Sequence, residues 1–202
     1  LNCSKTFLFS HYDYQLTTDE EARFDQLIKL RAKGVPLQHI TGRQEFMSLQ
    51  FIVNPHVLIP RQETEILVET IIDYASNTGK TGNEDGIKNT NSKSKSDNIS
   101  ILEIGTGSGC IAVSLAYYIE NCSITAVDIS EDAIETARLN ASLHGVDRKI
   151  NFLLSDLFEN VGDNKFDIIV SNPPYIEKKE IERLEVEVKE HEPIIALDGG
   201  TD

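Results

Sequence analysis

The chain has 202 residues, of which 40% are hydrophobic and 26% are charged, and it lacks tryptophan. Such a chain is long enough for one domain or slightly more with a buried core, and its composition excludes the collagen-like, disulfide-rich and wholly disordered classes. The formal net charge of −14 argues against a protein whose main task is to bind nucleic-acid phosphates.

The three cysteines are odd in number and widely separated. Cys3, Cys110 and Cys122 form no CxxC pair, so the sequence predicts neither a disulfide framework nor a metal site, and a reducing cytoplasm fits best. No apolar run approaches the ~20 residues of a membrane span, so we expect no membrane association. The chain opens with Leu1 and without a basic and apolar leader, which predicts a truncated amino end and no signal peptide.

The first predicted element is a helix over residues 17–33. Its start is marked by a capping box of Thr17 with Glu20, or of the pair one residue later, and Gly34 closes it. Three apolar residues fall on one face of this helix: Phe24, Leu27 and Ile28. We interpret it as part of a small helical N-terminal unit.

Alternating apolar residues predict a β-hairpin after this unit. The predicted strands are residues 47–53 and 57–59, around a turn at Asn54-Pro55. A helix over residues 63–75 follows, because apolar residues recur at helical spacing behind an acidic first turn.

Residues 76–98 differ in composition from everything around them. Ile87 is their only aliphatic residue, among serine, asparagine, threonine, glycine, lysine and acidic residues. Such a segment cannot bury enough apolar area to offset the entropy of ordering it. We therefore predict a mobile insertion without a site of its own.

From residue 99 onward, short apolar runs alternate with helical stretches. Strands are predicted over residues 99–104, 123–127, 150–154 and 166–170, and helices over residues 110–120 and 131–143. Buried strands separated by helices are typical of an α/β fold with a parallel sheet and right-handed crossovers. Residues 180–190 carry apolar residues at helical spacing among many glutamates, which predicts a solvated amphipathic helix that Pro193 ends.

A glycine-rich turn lies where the strand over residues 99–104 passes into the next helix. Glycines in alternate positions allow positive φ and a close approach of the backbone to a ligand. The turn matches neither G-x-G-x-x-G nor a P-loop, so by itself it is also compatible with a mere tight turn. The candidate ligand-binding residues here are Glu103, Gly105, Thr106, Gly107, Ser108 and Gly109.

Asp128 ends the next predicted strand, about twenty residues beyond the glycines, where an acidic side chain can accept hydrogen bonds from both hydroxyls of a ribose. A simpler interpretation is that Asp128 caps the helix that begins near residue 131. Ser130 could fill that capping role instead.

The segment Asn172-Pro173-Pro174-Tyr175 directly follows the strand over residues 166–170. In open α/β sheets this carboxyl edge is where ligands bind. The prolines stiffen the backbone and offer no competing N–H. The Asn172 side-chain carbonyl, together with a backbone carbonyl, can hold a planar NH₂ group by both hydrogens, and Tyr175 can lie against the same group. The pattern predicts a site for an amide or amino nitrogen.

Together these motifs resemble S-adenosylmethionine-dependent methyltransferases that act on planar or amide nitrogens. More narrowly, the chain resembles the HemK/PrmC family of protein-(glutamine-N5) methyltransferases over almost its whole length. The matching segments, in order, are residues 36–42, Glu45-Phe46, residues 58–61 with Thr64-Glu65, the glycine-rich turn, Val127-Asp128, Ser155-Asp156, residues 171–176 and Glu192-Pro193. The chain departs from the family pattern at Gln62, at Leu157 and in its long insertion.

The resemblance implies a Rossmann-like class I methyltransferase fold and assigns roles to the matching residues. S-adenosyl-L-methionine would be bound by the glycine-rich turn, with Glu103 ordering that turn or meeting the methionine amine. Asp128 would contact the ribose, and Asp156 or Leu157 would lie beside the adenine. The residues implied to hold the substrate glutamine are Asn172, Pro173, Pro174 and Tyr175, of which Asn172 also contacts the cofactor. The segment Pro60-Arg61 would cover the cofactor, and no metal is implied.

The resemblance also implies three regions. Residues 1–44 would be the remnant of a helical N-terminal substrate-recognition domain, and residues 45–61 a β-hairpin linker. Residues 62–202 would form the methyltransferase domain, carrying the insertion at residues 76–98 and truncated before its last strands.

The implied activity is methyl transfer to the side-chain amide N5 of a glutamine in peptide chain release factors, in the cytoplasm. A glutamine of a ribosomal protein is an alternative substrate. Adenine N6 or guanine N2 of a nucleic acid is another, because an exocyclic NH₂ group presents the same hydrogens, although the net charge weighs against it. A nucleotide-binding module without catalysis is disfavoured by the intact Asn172 motif. Some family members are fused to a second methyltransferase that acts on transfer RNA, so a fusion is a further expectation to test.

Overall fold

The computed structural model describes residues 3–77 and 98–200, so residues 78–97, most of the predicted insertion, lie outside the described residues. The helices are α1 (Lys5–Ser10), α2 (Thr18–Ala32), α3 (Leu37–Thr41), α4 (Glu63–Asn77), α5 (Cys110–Tyr118), α6 (Glu131–Leu143), α7 (Lys178–Ile181) and α8 (Val186–His191). The strands are β1 (Arg43–Phe46), β2 (Leu49–Ile52), β3 (Ile99–Ile104), β4 (Cys122–Asp128), β5 (Ile150–Leu154), β6 (Ile168–Ser171), β7 (Ile176–Glu177) and β8 (Asp198–Gly200). Within these two described ranges, no helix is long and apolar enough to span a bilayer.

Four parallel strands form the central sheet in the order β5, β4, β3, β6. Ile101 and Leu102 of β3 point to opposite faces and are both fully buried, so the sheet is covered on both sides. Helices α4, α5 and α6 pack on the Ile101 face. On the other face Leu102 packs with Val127 and Val161. The predicted α/β fold with a parallel sheet flanked by helices is confirmed, and its elements from β3 to β6 match the predicted ranges to within two residues.

The hairpin that precedes α4 differs from its prediction. Its strands are β1 and β2, paired antiparallel around Met47 and Ser48, and residues 57–59 form no strand. Both turn residues have positive φ, 50° and 59°, without the glycine or asparagine that usually signals such a turn. Tertiary contacts hold this turn instead, because the Met47 N–H donates to Glu65 Oε1 (2.6 Å) and the Met47 carbonyl accepts from the Tyr118 hydroxyl (2.6 Å).

The N-terminal helix α2 confirms the predicted capping box. The Thr17 side chain accepts from the Glu20 N–H, and the Glu20 carboxylate accepts from the Thr17 N–H (2.9 Å). No residue of α2 is buried, and Phe24 and Ile28 are about half exposed. The helix is joined to α8 by an ion pair between Arg31 and Glu187.

The glutamate-rich tail is two short helices rather than the single helix predicted over residues 180–190. Helix α7 ends at Ile181, which is buried, and Glu185, with φ −57° and ψ 147°, is not helical and precedes α8. Glu192, directly after α8, is 5% exposed instead of solvated. Its carboxylate accepts a hydrogen bond from Arg61, 131 positions earlier, a contact that local spacing does not reveal.

Candidate functional site

A pocket opens at the carboxyl edge of the central sheet, where β3, β4 and β6 end. The space between its walls is about 730 Å³, with the open solvent at its mouth included. Its lining brings together these predicted site residues: Glu103, Gly105, Thr106, Gly107, Ser108, Asp128, Asn172 and Pro174. Predicted site residues as far apart in sequence as Glu103 and Pro174 therefore meet at one sheet edge, as the parallel topology requires.

The other predicted site residues are not part of this lining, and their roles stay predictions. Gly109 lies against α6, where an added Cβ would meet the Ala137 Cβ at 2.9 Å, so it allows α5 and α6 to pack closely. Tyr175 is 75% exposed. Leu157 is 58% exposed with φ +46°, and Asp156 beside it is exposed, both just beyond the end of β5. Pro173 likewise does not line the pocket.

The glycine turn, residues 103–109, is held in place by the end of β4. The N–H groups of Gly105 and Thr106 both donate to the Val127 carbonyl, at 2.9 and 3.0 Å. Gly105 and Gly107 have φ of +74° and +54°, a region that side chains disfavour. The backbone can therefore line the pocket directly, without a Cβ between it and a ligand.

Glu103 is a buried carboxylate with one oxygen unpaired. Its Oε2 accepts from the Thr106 hydroxyl (2.7 Å) and from the Ala112 N–H (3.1 Å), which ties the turn to α5. Its Oε1 is buried and has no hydrogen-bond partner. Burial, reinforced by the nearby charge of Asp128, raises the pKa of Glu103 to about 8, against the lowering effect of these two hydrogen bonds. Such a group is prepared to accept a cationic or N–H donor from a ligand.

The raised pKa of Glu103 makes stability depend on pH. Between its usual pKa of 4.5 and about 8, the folded state keeps a proton that the unfolded chain releases, so the free energy of unfolding falls as the pH rises through this window. Glu103→Gln removes this titration. We expect the melting temperature of the wild type to drop relative to that of the variant between pH 5 and pH 8, measured by thermal denaturation without ligand. Parallel pH dependences of the two proteins would contradict the raised pKa.

Asp128 connects the glycine turn to the start of α6. Its Oδ2 accepts from the Gly107 N–H (2.8 Å) and its Oδ1 from the Ser130 N–H (3.0 Å). Ser130, not Asp128, caps α6, because its hydroxyl accepts from the Ala133 N–H (3.3 Å). The simple capping interpretation of Asp128 is therefore wrong, and its half-buried carboxylate lines the pocket.

Hydrogen bonds at Ser171 and at Asn172, and close packing at Tyr175, hold the segment after β6 in place. The Ser171 hydroxyl donates to the Ile104 carbonyl (2.8 Å), and the Asn172 Nδ2 donates to the Thr64 hydroxyl oxygen (3.3 Å). Gly199 of β8 packs so closely on the following backbone that an added Cβ would lie 2.8 Å from the Tyr175 Cα. The Asn172 amide is thus held at the pocket by neighbours distant in sequence.

The predicted cover segment Pro60-Arg61 lines the pocket, in a wall built by the segments before α4 and after α8, and sequence reasoning missed the other residues of this wall. Glu192 joins the two, because its Oε1 accepts from Arg61 Nη2 (2.6 Å) and its Oε2 from the Ile59 N–H (3.2 Å). Arg61 and Thr64 line the pocket on one side of this tie and Pro193 on the other. Nothing in the local sequence marks these contacts. The only signal for this wall in the sequence was the resemblance to a known family, whose motifs these segments match in order.

Comparison with family models identifies the family to which the chain belongs. Residues 89–189, half of the chain, match the family model of the methyltransferase small domain. The chain belongs to the methyltransferase small domain family. Residues 1–42 match the PrmC N-terminal domain, which confirms the resemblance to the HemK/PrmC family. The family and fold imply S-adenosylmethionine as the methyl donor of this methyltransferase domain.

Curated relatives of this methyltransferase domain carry two kinds of name. Release factor glutamine methyltransferase from Koribacter versatilis is 39% identical and that from Geobacter sulfurreducens is 40% identical, over 99% and 100% of this chain. The chain covers 65% and 63% of these relatives. A bifunctional methyltransferase from Rickettsia bellii is 42% identical over 98% of this chain, which covers 37% of that protein. The chain thus spans less than two thirds of the length of the curated relatives it matches.

The pocket fits the methyl donor that the methyltransferase family implies. The Oε1 of Glu103 is buried and unpartnered, and a ligand's ammonium group beside it would favour the ionised carboxylate that accepts its hydrogen bond. The Asp128 carboxylate at the end of β4 is spaced from the glycine turn as a ribose contact requires. The positive-φ glycines leave room for the ligand against the backbone.

Proposed function

We propose that the full-length protein transfers a methyl group from S-adenosyl-L-methionine to the side-chain amide N5 of a glutamine in peptide chain release factors. The observation that carries the proposal is the meeting of two separate motifs in one pocket: the glycine turn with its unpaired Glu103 oxygen, and the Asn172 amide after β6. The names of the relatives support the same reaction, and their release-factor members align with this chain over nearly its entire length.

We assign the cofactor half of the pocket to residues on β3, β4 and the turn between β3 and α5. Glu103 Oε1 would accept from the methionine amine, the turn backbone would line the methionine and ribose, and Asp128 would accept from the ribose hydroxyls. Asp156 and Leu157 remain our candidates for the adenine side, since they follow β5, the neighbour of β4. When bound, the cofactor supplies an activated methyl on a cationic sulfonium.

Replacing Asp128 tests the ribose assignment. Asp128→Ala should weaken cofactor binding by ~1.5 to 3 kcal/mol, or roughly 10- to 150-fold in Kd, because a charge-assisted acceptor is lost. Asp128→Asn keeps an acceptor that the Gly107 N–H can still use, so it separates loss of the ribose contact from loosening of the turn. Calorimetric titration of the full-length protein measures both variants. An unchanged Kd in Asp128→Ala would sink the assignment.

We assign the substrate half to the segment after β6. Asn172 Oδ1 and a backbone carbonyl of residues 172–174 would accept the two hydrogens of the glutamine amide, and Tyr175 would lie against its plane. An amide nitrogen is a poor nucleophile because its lone pair is delocalised. Two acceptors that hold both hydrogens orient that lone pair along the line of the donor methyl, which lowers the entropic part of the barrier. No strong base is needed for this arrangement.

The net charge and the N-terminal region both bear on the choice between the alternative substrates. A nucleic-acid amino group would suit Asn172 equally, but the net charge of −14 disfavours a phosphate-binding protein. The match of residues 1–42 to the PrmC N-terminal domain favours a protein substrate. A ribosomal-protein glutamine is the nearest alternative. Fusion to a second methyltransferase is compatible with the bifunctional relatives, and a cytoplasmic location suits this substrate.

The test is mass spectrometry of a candidate release factor after incubation with the full-length protein and S-adenosylmethionine carrying a labelled methyl group. We expect one labelled methyl on a glutamine side chain, and none with the Asn172→Ala variant under the same conditions. Ribosomal proteins and RNA incubated in parallel serve as competing substrates. Label on either of these and none on the release factor would overturn the proposal.

A further inference from the structure

The two carboxylate oxygens of Glu103 have very different surroundings. Oε2 accepts from the Thr106 hydroxyl (2.7 Å) and from the Ala112 N–H (3.1 Å). Oε1 is buried, and no group of the described residues donates to it, although Glu103 lines the pocket. The residue is only 1% exposed, so little water can solvate a charge on Oε1. In the protein without ligand, a proton on Oε1 avoids a bare buried charge.

The neighbouring elements β4 and α5 do not offset a charge on Glu103. Asp128 at the end of β4 brings a second negative charge, which disfavours the ionised form of Glu103. Cys110 on α5 also lines the pocket, but burial raises the pKa of its thiol to about 12, so it is uncharged at neutral pH. Burial and the like charge together raise the pKa of Glu103 to about 8. At neutral pH the free protein therefore holds a proton on this carboxyl.

The basic side chains of the pocket lining have acidic partners of their own. Among the residues that the structure describes, these side chains are Arg61 and His56. Arg61 Nη2 donates to Glu192 Oε1 (2.6 Å), and His56 Nδ1 lies 3.4 Å from Asp132 Oδ2. A negative charge on Glu103 therefore has to be balanced by a ligand.

We propose that Glu103 couples cofactor binding to the release of a proton, so that the pocket accepts a ligand ammonium group in exchange for the proton on Oε1. The O–H bond of the neutral carboxyl breaks, the proton passes to the solvent, and the ligand ammonium donates a hydrogen bond to the ionised Oε1. The total charge of the buried site changes only by that of the entering ligand minus the proton. The inference rests on the proposed function, because it uses the assignment of Glu103 to the methionine amine.

This exchange makes both proton release and affinity depend on pH. An adjacent positive charge lowers the pKa of a carboxyl by about 1 to 3 pH units, so release is largest near pH 7, between the pKa values of the free and bound states. At much lower pH both states keep the proton, and well above pH 8 the free protein has already lost it. Linkage requires the affinity to rise with pH wherever binding releases a proton. A ligand without the amine binds with no such exchange.

The experiment is calorimetric titration of the full-length protein in pairs of buffers that differ in ionisation enthalpy, which counts the protons released on binding. The first ligand is S-adenosylhomocysteine, which keeps the amine and has no reactive methyl. The second is 5′-methylthioadenosine, which lacks the amino-acid part. Glu103→Gln removes the titrating group. Asp132→Asn is the matched control, because Asp132 is an acidic residue beside the pocket residue His56 and its side chain is 63% exposed.

For the wild type and for Asp132→Asn at pH 7, we expect the release of about 0.5 to 1 proton with S-adenosylhomocysteine. The affinity should rise roughly three- to tenfold per pH unit between about pH 6.5 and 7.5. With 5′-methylthioadenosine, we expect no release and a Kd that does not depend on pH.

Glu103→Gln should bind S-adenosylhomocysteine more weakly and without proton release. A glutamine that keeps its oxygen at the Thr106 and Ala112 donors turns its NH₂ group toward the ligand amine. The Kd of this variant for 5′-methylthioadenosine should stay within about threefold of the wild-type value, because that ligand does not reach Glu103.

A wild-type protein that binds S-adenosylhomocysteine at pH 7 without releasing a proton overturns the inference. Equal release with 5′-methylthioadenosine, or unchanged release in Glu103→Gln, also overturns it. If Glu103→Gln does not fold, the comparison of the two ligands on the wild type decides. Proton release by a protein that methylates no release factor would contradict the proposed substrate and leave the inference standing, and a protein that binds neither ligand overturns both.

Discussion

Replacing Asn172 with alanine is expected to lower the rate of methyl transfer by about 10²-fold or more, while cofactor affinity changes far less. Asn172 lines the pocket beside the glycine turn, and in the proposed function its side chain is one of two acceptors for the substrate amide. Without it, the amide is held by one hydrogen only and can swing away from the donor methyl. Single-turnover transfer to a release-factor glutamine at saturating cofactor measures this effect. An alanine variant that transfers at the wild-type rate would refute the role.

Asn172→Asp is the sharper variant, because it keeps an acceptor of the same size. The Thr64 hydroxyl can donate to the second carboxylate oxygen, so the side chain keeps its anchor. We expect this variant to retain more activity than Asn172→Ala. Saturating cofactor removes any influence of the added charge on cofactor binding. An aspartate variant that is slower than the alanine variant would show that hydrogen-bond acceptance is not the role of Asn172.

Replacing Asn140 with alanine is expected to destabilise the fold by about 3 to 5 kcal/mol, because three main-chain groups lose their partners and one of them, the Ser108 carbonyl, is buried. Asn140 is fully buried on α6. Its Oδ1 accepts from the Ile52 N–H (2.7 Å), and its Nδ2 donates to the carbonyls of Ile52 (3.0 Å) and Ser108 (2.8 Å). These bonds join the hairpin to the glycine turn. Thermal denaturation should show a melting temperature lower by roughly 10 to 15 °C.

Two further variants test whether hydrogen bonding is the cause. Asn140→Asp keeps the shape but replaces the donor with an acceptor, so it should also melt well below the wild type. Asn151→Ala changes an exposed asparagine on β5 and should alter stability by no more than about 0.5 kcal/mol. If both Asn140 variants melted within a degree or two of the wild type, this side chain would not be what joins the hairpin to the turn.

The sequence alone determined the elements whose signals are local. Strand β3 is a run of apolar residues ending at the glycine turn, and α6 begins at a serine cap with acidic residues behind it, so both were predicted at their observed bounds. Gly105 and Gly107 have the positive φ that their spacing suggested. Because parallel strands end at one edge of a sheet, the positions of Asp128 and Asn172 after their strands also predicted that they would share a pocket.

Only the tertiary structure decided the features that depend on groups far apart in the chain. The Met47-Ser48 turn exists because Glu65 and Tyr118 satisfy its backbone, and no turn-forming residue announces it. The Glu192 carboxylate after α8 is buried because it pairs with Arg61, 131 positions earlier. Burial gives Glu103 a pKa of about 8, and the hydrogen bond between Thr64 and Asn172 joins residues 108 positions apart. Periodicity and spacing report a residue's own segment, whereas hydrogen-bond partners and desolvation are set by whichever segments the fold brings alongside it.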